Sequence, residues 1–431
     1  MNWLFTDMDS FFASVEQHLR PELRGRTVGV VPVQSEGTCI IAASIDAKRR
    51  GVRTGTPVRE ARQLCPGIEL VKARPAVYVQ VHQSIIRCID RYAPIHKVYS
   101  IDEWAIRLLG QERSPDHAIG LARRIKRGLL ADFSPALTCS IGIAPTRLLA
   151  KIASDLNKPD GLAVLDPRDM PGRLEDQELD DLPGIASGML RRLHAANIRT
   201  VRQLWDLSRH DARRIWGSVQ GEAWWLGFHG HDVPEPSTGR HSISHANMLA
   251  PERRSDAGAH GILTRLTCKA AFRLRHDAHV AHRLHVYVRS YGGREWSVEA
   301  PLEGVQDTLT IVRVFEALWR TRPWAHSGRR DTVWAPFAQV SVTLSGLKPL
   351  DAVTASLFAP DQRLGELSRA IDRINQRWGQ HAVYLASLHE HRHEMEDKIA
   401  FGRIPDEGCR AASAQPARAN RPFRASSSRG S

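Results

Sequence analysis

Residues 3–16 read Trp-Leu-Phe-Thr-Asp-Met-Asp-Ser-Phe-Phe-Ala-Ser-Val-Glu, which joins a strand pattern, two acids and the start of a helix. The apolar run at 3–5 predicts a short buried strand, and the pattern after Ser10 predicts a helix. Asp7 and Asp9 stand where the strand ends. Because a buried strand is rigid, acids at its end can be held close to acids from other elements. This stretch therefore predicts a carboxylate site on a core of strands and helices.

A second acidic pair, Asp102-Glu103, lies between two strand-like runs. Carboxylates that are brought together repel one another unless cations lie between them. Mg²⁺ typically takes one or two carboxylates plus substrate phosphates, and two such ions about 3.5–4 Å apart can hold a phosphoryl group during in-line transfer. Alternatively, Asp7 and Asp9 cap the following helix. The buried strand favours a metal for Asp7, whereas capping and metal contact are equally good interpretations of Asp9.

The order of the patterns along the chain indicates several domains. Strand and helix patterns alternate as far as residue 165, with strands at 1–9, 27–33, 39–43, 96–109 and 137–143 and helices at 76–92, 118–130 and 147–157. Short helical patterns at 170–230 predict a small all-helical unit. The βαββαβ order of patterns over 241–344 predicts a second, smaller α+β domain.

Composition narrows the classes of function. The chain has 431 residues, and 60 Lys and Arg against 47 Asp and Glu give a net charge of +13. Such an excess favours a polyanionic partner, most often nucleic acid, although a merely basic surface is the alternative. The six cysteines show neither metal-binding nor disulfide spacing, which favours a reduced, cytoplasmic protein. No apolar run approaches the roughly 20 residues of a membrane span, so no membrane partner is expected.

Four ordered motifs resemble those of the Y-family translesion DNA polymerases. The segments 7–16 and 99–103 are similar to the two acidic motifs of that family, 140–161 to its third motif, and Leu-Pro-Gly-Ile at 182–185 to the thumb helix-hairpin-helix. The resemblance to the bacterial polymerase IV and V branches covers residues 1–345. It implies an α+β multidomain right hand, with a ferredoxin-like palm, small fingers, a helical thumb and an α+β little finger.

The same resemblance implies where each domain begins and ends. The expected divisions are the palm at 1–10 and 75–165, the fingers at 11–74, the thumb at 166–230, a linker at 231–240, the little finger at 241–347, a C-terminal extension with a helix at 348–401, and a disordered basic tail at 402–431.

The resemblance also implies a catalytic centre with two Mg²⁺ ions as cofactors. Asp7 and Asp102 would be metal ligands, the Met8 main-chain carbonyl a further ligand, and Glu103 the catalytic acid that completes the site. Phe12 occupies the position of the steric gate, the aromatic ring that excludes a ribose 2′-hydroxyl. For Phe11, the other aromatic candidate at the substrate, core packing is the preferred interpretation.

The fingers and the third motif supply the candidate cations for the nucleotide. Lys158 matches the family's lysine near the triphosphate, and Lys151 projects from the same helix face two turns earlier. The family commonly has a Tyr and an Arg on the fingers, whereas this chain has Ile45 and Lys48. Ile45 cannot donate a hydrogen bond, and Lys48 is a point charge rather than a planar fork. We therefore expect Lys48 to bind the nucleotide more weakly.

Candidate DNA contacts lie in the thumb and in the second α+β domain. Gly184 is the hairpin glycine, where the main chain would approach a phosphate. Arg265, Lys269 and Arg273 are spaced to share one helix face, and Arg289 follows on a strand. For any one of these residues, a solvated surface is the ordinary alternative.

The resemblance implies a template-directed DNA polymerase that adds deoxynucleoside triphosphates to a primer 3′-hydroxyl in DNA damage tolerance. Its expected partners are primer-template DNA, the nucleotide, and a sliding clamp through a degenerate peptide near Leu357-Phe358. A non-catalytic or weakly active DNA-binding accessory subunit is the main alternative, and a two-metal nuclease is another. The altered fingers keep the first alternative open, but the intact acids Asp7, Asp102 and Glu103 weigh against it.

Overall fold

The computed structural model describes residues 1–234, 241–325, 334, 336–353, 359–379 and 381–391. The described chain falls into two compact units, one within residues 1–234 and the other within residues 241–391. Most of the expected linker, the peptide near Leu357-Phe358 and the expected basic tail lie outside the described residues. No helix within the described ranges is both long enough and apolar enough to cross a membrane.

The first unit alternates strands with helices. Its strands are β1 (Trp3–Met8), β2 (Val28–Val31), β3 (Ala42–Ala43), β4 (Glu69–Lys72), β5 (Lys97–Val98), β6 (Glu103–Arg107), β7 (Cys139–Ala144) and β8 (Leu162–Val164). Its helices are α1 (Phe11–Leu19), α2 (Ile45–Arg49), α3 (Val58–Leu64), α4 (Pro75–Asp90), α5 (Pro115–Asp132), α6 (Arg147–Leu156), α7 (Ser187–Ala195), α8 (Val201–Trp205), α9 (Arg209–Trp216) and α10 (Val219–Phe228).

The palm is a five-stranded sheet in the order β5-β6-β1-β7-β8, with β1 in the centre. β1 is antiparallel to both neighbours, and all six of its residues are buried. Leu4 packs in the core that contains α4 and α5, whereas Phe5 packs in the core that contains α6. Because side chains alternate along a strand, Asp7 points to the same face as Phe5. The sheet therefore presents Asp7 towards α6.

The fingers and the thumb are smaller. The fingers are a three-stranded sheet in the order β3-β2-β4 with α2 and α3. The predicted strand at 39–43 is reduced to β3, and Cys39 forms only an isolated bridge with Pro57. The thumb helices α7–α10 bury Leu193, Leu204 and Phe228 in one core with the α6 face of the palm.

The second unit has the predicted βαββαβ order. It comprises β9 (Ser242–Met248), α11 (Asp256–His276), β10 (His279–Ser290), β11 (Glu295–Val305), α12 (Thr308–Arg320), β12 (Phe337–Ser345), the short β13 (Lys348–Pro349) and α13 (Ala359–Trp378). The main sheet is antiparallel in the order β11-β10-β12-β9. Apolar side chains of α11 and α12 form one core with alternate residues of the strands, which leaves the other set of strand residues outside that core.

Candidate active site

Two carboxylates from neighbouring strands face each other at the edge of the palm. Asp7 at the end of β1 is opposite Glu103 at the start of β6. Lys151 Nζ on α6 lies 2.5 Å from Asp7 Oδ2 and 2.9 Å from Glu103 Oε1. Both acids are therefore within hydrogen-bonding distance of one ammonium group, and the structure brings together residues that are far apart in the sequence.

The third predicted acid, Asp102, is joined to the same strand end. The main-chain N–H of Met8 donates to the main-chain oxygen of Asp102 at 2.9 Å. Ser100 Oγ donates to Asp102 Oδ1 at 2.5 Å. Burial raises the pKa of both Asp102 and Glu103, and the charge of Asp7 raises it further. The negative charge of Asp7 therefore disfavours ionisation of both neighbouring acids.

Two lysines offset this repulsion. Lys158 Nζ also lies 2.7 Å from Asp7 Oδ2, and Asp155 pairs with both Lys151 and Lys158, at 3.1 and 2.7 Å. Burial alone would raise the pKa of Asp7, but the two ammonium groups outweigh it and hold the pKa below its ordinary value. The prediction that Lys158 shares a helix face with Lys151 was wrong, because α6 ends at Leu156 and Lys158 lies in the loop that follows, although both lysines reach Asp7. Asp155 was missed, although it lies four residues after Lys151 on the same helix.

The donor atoms suit a hard divalent cation. Asp7, Asp102 and Glu103 offer carboxylate oxygens, and the Met8 main-chain carbonyl lies at the same strand end. Within the described ranges, no group of three or more His, Cys, Asp or Glu side chains could hold a metal ion by itself. Mg²⁺ binding at these residues therefore stays a prediction, and it would need further ligands such as substrate phosphates.

Asp9 has a role that neither interpretation of the sequence included. Ser10, not Asp9, is the N-cap of α1, and it makes no side-chain capping hydrogen bond, so capping by Asp9 was wrong. Asp9 is 3% exposed, and its Oδ2 accepts from Thr138 Oγ1 and from the main-chain N–H of Asp160, both at 2.8 Å. Its Oδ1 accepts from Ser140 Oγ at 2.8 Å. The carboxylate therefore binds the segment that follows α6.

The ring of Phe12 stacks against a second aromatic ring. Its side chain is 6% exposed and stacks on Tyr78, with ring centroids 4.6 Å apart and an interplanar angle of 16°. Tyr78 donates its hydroxyl to Glu16 Oε1 at 2.8 Å, and Arg74 Nη2 donates to Glu16 Oε2 at 2.6 Å. Phe11 is 3% exposed in the palm core, which agrees with core packing. Sequence reasoning missed Tyr78, because only the fold brings α4 against α1.

Comparison with known proteins identifies the family. The impB/mucB/samB family model matches residues 6–155, and the model of its C-terminal domain matches 240–357. A DNA polymerase IV of Yersinia enterocolitica is 30% identical over 285 residues, which cover 65% of this chain and 80% of that protein. The chain belongs to the Y-family of DNA polymerases.

Other relatives agree with this assignment. The DNA polymerase IV of Pelotomaculum thermopropionicum is 29% identical over 398 residues, covering 89% of this chain and 94% of that protein. A solved Y-family DNA polymerase chimera shares the fold, with a TM-score of 0.66, 24% identity, and coverage of 81% of this chain and 100% of the chimera. The protein is therefore a translesion DNA polymerase, and the accessory-subunit alternative is not favoured.

The Y-family fingers bring Lys48 into the electrostatic field of the palm site. Burial and the nearby charge of Lys158 lower the pKa of Lys48, whereas Asp7, Asp9 and Asp102 act in the opposite direction. Ile45 is the first residue of α2 and lies one turn before Lys48. Lys48 is therefore electrostatically coupled to the palm acids, whereas a contact of Ile45 or Lys48 with the nucleotide stays a prediction.

The thumb turn at 182–185 places its glycine in a left-handed conformation, whereas its contact with a DNA phosphate stays a prediction. Gly184 has a φ of +91°, in the left-handed region that favours glycine. Leu182 and Ile185 on either side are buried, and Trp224 Nε1 donates to the main-chain oxygen of Pro183 at 2.9 Å. The exposed Gly184 main chain is thus held rigidly at the tip of the turn.

The candidate DNA contacts in the little finger divide into two groups. Arg265 is only 8% exposed, so it does not present its charge to solvent as the helical spacing suggested. Lys269 is partly exposed, and Arg273 is partly exposed with Asp277 at 3.9 Å. Arg289 lies on β10 among the strand residues outside the helix-packed core. The open face of the sheet is therefore a better candidate surface than α11.

Proposed function

We propose that this polymerase extends a primer 3′-hydroxyl at a site where Asp7, Asp102, Glu103 and the Met8 main-chain carbonyl hold two Mg²⁺ ions. The observation that carries the proposal is the pairing of Asp7 and Glu103 across two strands on a single cation, Lys151. Bound Mg²⁺ would supply Lewis acidity and neutralise charge on the transferring phosphoryl group.

The chain's own residues would hold the acids ready for this role. Lys151 and Lys158 keep the Asp7 carboxyl ionised, because they lower its pKa despite burial. Ser100 orients Asp102 through its short hydrogen bond. Deprotonation of the primer hydroxyl and in-line attack on the α-phosphate would release pyrophosphate, so positioning and charge neutralisation account for most of the catalysis.

The nucleotide would lie between the fingers and the palm acids. Lys48 and Lys158 would be the cations on the two sides of this region, and the charge of Lys158 lowers the pKa of both Lys48 and Asp7. Phe12, held by Tyr78, would lie under the sugar and exclude a 2′-hydroxyl by steric clash. These residues would thus supply a charge contact for the triphosphate and a steric contact for the sugar.

Primer-template DNA would lie on the open face of the little-finger sheet. Its central strands present Arg283, Tyr287 and Arg289 on one side, beside the hydroxyls of Ser341 and Thr343 in the paired strand. Such groups bind phosphates and sugars without reading sequence. Gly184 in the thumb would add a main-chain contact. Recruitment by a sliding clamp through the peptide near Leu357-Phe358 remains a proposal from the sequence.

Primer extension with labelled template tests the metal assignment. Asp7→Ala, Asp102→Ala and Glu103→Ala should each abolish extension, whereas Asp116→Ala removes an exposed acid from α5 and should not. Duplex binding, measured by fluorescence anisotropy, should stay near the parent value in all four variants, because the acids bind metal rather than DNA. Substantial extension by folded Asp102→Ala protein would refute the assignment.

A further inference from the structure

The loop that carries Lys158 has an unusual conformation. It runs from the end of α6 to the start of β8, and Asp160 within it has a φ of +55°, a left-handed value that is uncommon outside glycine. At Gly161 an added Cβ would lie 2.3 Å from the main-chain oxygen of Asn157, so the turn admits no side chain there. A loop this tight needs partners that hold it.

Asp9 holds one side of this loop. Its buried carboxylate accepts the main-chain N–H of Asp160 at 2.8 Å. Thr138 and Ser140 on the β7 side donate to the same carboxylate, so its orientation is fixed. The Gly161 N–H also donates to Ser140 Oγ at 3.2 Å. The loop is therefore joined to the strand end that bears Asp7 and to the neighbouring strand.

Lys126 holds the other side. This α5 residue donates from Nζ to the main-chain oxygens of Cys139 at 2.7 Å and Asp160 at 2.8 Å, and it reaches the Gly161 oxygen at 3.3 Å. It also pairs with the Asp160 carboxylate at 2.5 Å. Asp160 is thus held through its N–H by Asp9 and through its carbonyl by Lys126.

We propose that Asp9 and Lys126 are positioning residues that hold the Lys158 loop so that its ammonium group reaches the nucleotide triphosphate. The inference rests on the proposed contact between Lys158 and the nucleotide. Binding through Lys158 Nζ has to order both the loop main chain and the flexible lysine side chain. If the loop is already held in place, only the conformational entropy of the side chain is lost on binding. Asp9 then acts in nucleotide binding without touching substrate, unlike the neighbouring Asp7.

Substitutions at Asp9 separate hydrogen bonding from charge. Asp9→Asn retains one oxygen, which can still accept the hydrogen bonds from Asp160 and Thr138. Its NH₂ group would then face Ser140, whose hydroxyl can rotate to accept a hydrogen bond from it. Asp9→Ala removes all three hydrogen bonds. We expect Asp9→Ala to raise KM for the deoxynucleotide roughly tenfold with kcat within about threefold, and Asp9→Asn to stay within about threefold of the parent in both.

Lys126 provides a second test that does not alter the buried carboxylate. Lys126→Met keeps the length of the side chain and should also raise KM roughly tenfold. Arg127→Met is the matched control, since it removes an exposed positive charge from the next position of α5 and should leave KM unchanged. Equilibrium binding of the deoxynucleotide to enzyme on a dideoxy-terminated primer-template should weaken by the same factors, independently of turnover.

Combination with Lys158→Ala distinguishes the possible failures. If Lys158→Ala alone leaves nucleotide affinity unchanged, the proposed Lys158 contact is wrong and the positioning role falls with it. If Lys158→Ala weakens binding, Lys126→Met should add less than about twofold in that background, because it acts through Lys158. Two results would overturn the positioning role while leaving the Lys158 contact intact. One is that the losses of nucleotide affinity from Lys126→Met and Lys158→Ala add fully in folded protein, and the other is that Asp9→Asn raises KM as much as Asp9→Ala does.

Discussion

Replacement of Phe12 by alanine should relax the choice between deoxynucleotides and ribonucleotides. The ring is nearly buried and is held against Tyr78 at 4.6 Å, so it cannot move far to make room for an added oxygen. Forcing an extra atom into a packed site typically costs about 1–3 kcal/mol, which corresponds to roughly 5- to 150-fold in a rate ratio. We expect the kcat/KM ratio of deoxynucleotide to ribonucleotide to fall by a factor in this range.

The substitution also has a cost in stability that must be measured separately. Removal of a buried phenylalanine side chain lowers the free energy of unfolding by about 3–5 kcal/mol. Phe11→Ala is the matched control, because Phe11 lies on the same helix, is equally buried and belongs to the palm core. Thermal melts of both variants should shift by similar amounts, so a difference between them in sugar selection cannot come from stability.

Steady-state kinetics with one template base and the matching deoxynucleotide or ribonucleotide would measure the ratio. Phe12→Ala should lower it, whereas Phe11→Ala should leave it within about threefold of the parent, below the smallest loss expected from a steric gate. If folded Phe12→Ala discriminates as well as the parent, Phe12 is only a core residue. If Phe11→Ala relaxes selection to the same extent, the effect arises from general loosening of α1.

Three further measurements follow from the charges, the fingers and the buried thiols. DNA affinity should fall with salt, with a slope of about −0.9 in log K against log salt for each phosphate neutralised, and a slope near zero would contradict binding through basic side chains. Ile45→Tyr with Lys48→Arg should lower KM for the nucleotide roughly tenfold, and a stably folded double variant without any gain would show that other residues bind the triphosphate. Burial raises the pKa of the Cys139 thiol to about 12, so iodoacetamide at neutral pH should leave Cys139 unmodified in the native protein while it labels the partly exposed Cys39. Rapid native labelling of Cys139 would disprove its burial.

Local patterns predicted the elements well where they were long. The apolar spacing from 76 to 92 corresponds to α4, and the run at 3–5 to the first half of β1. The short strands β4 and β8 were missed, because three or four residues carry too little periodicity to be separated from a loop. Their pairing with β2 and β7 is parallel and non-local, so no turn in the sequence signals it.

The sequence pointed to the candidate acids but not to the hydrogen-bond partners that hold them. Asp7 and Asp102 stood out as acids in strand-like surroundings, and the motifs supplied their roles. The partners of Asp9 lie 129 and 151 residues away in the sequence, at Thr138 and Asp160, and no local pattern links residues at such separations. Arg265 was predicted to be exposed but is buried, because residue spacing shows which residues share a helix face and not whether that face is covered.

Lys151 gives the resting enzyme an internal counter-ion. If a divalent ion binds Asp7 and Glu103 as proposed, it would replace the Lys151 ammonium that already balances them, so the net gain in Coulomb energy would be smaller than at free carboxylates. An ion that arrived bound to a triphosphate would bring negative charge for Lys151 and the adjacent Lys158 to pair with, so the exchange would be more favourable in the presence of substrate. Metal occupancy in the cell should then follow the nucleotide pool more closely than the concentration of free magnesium.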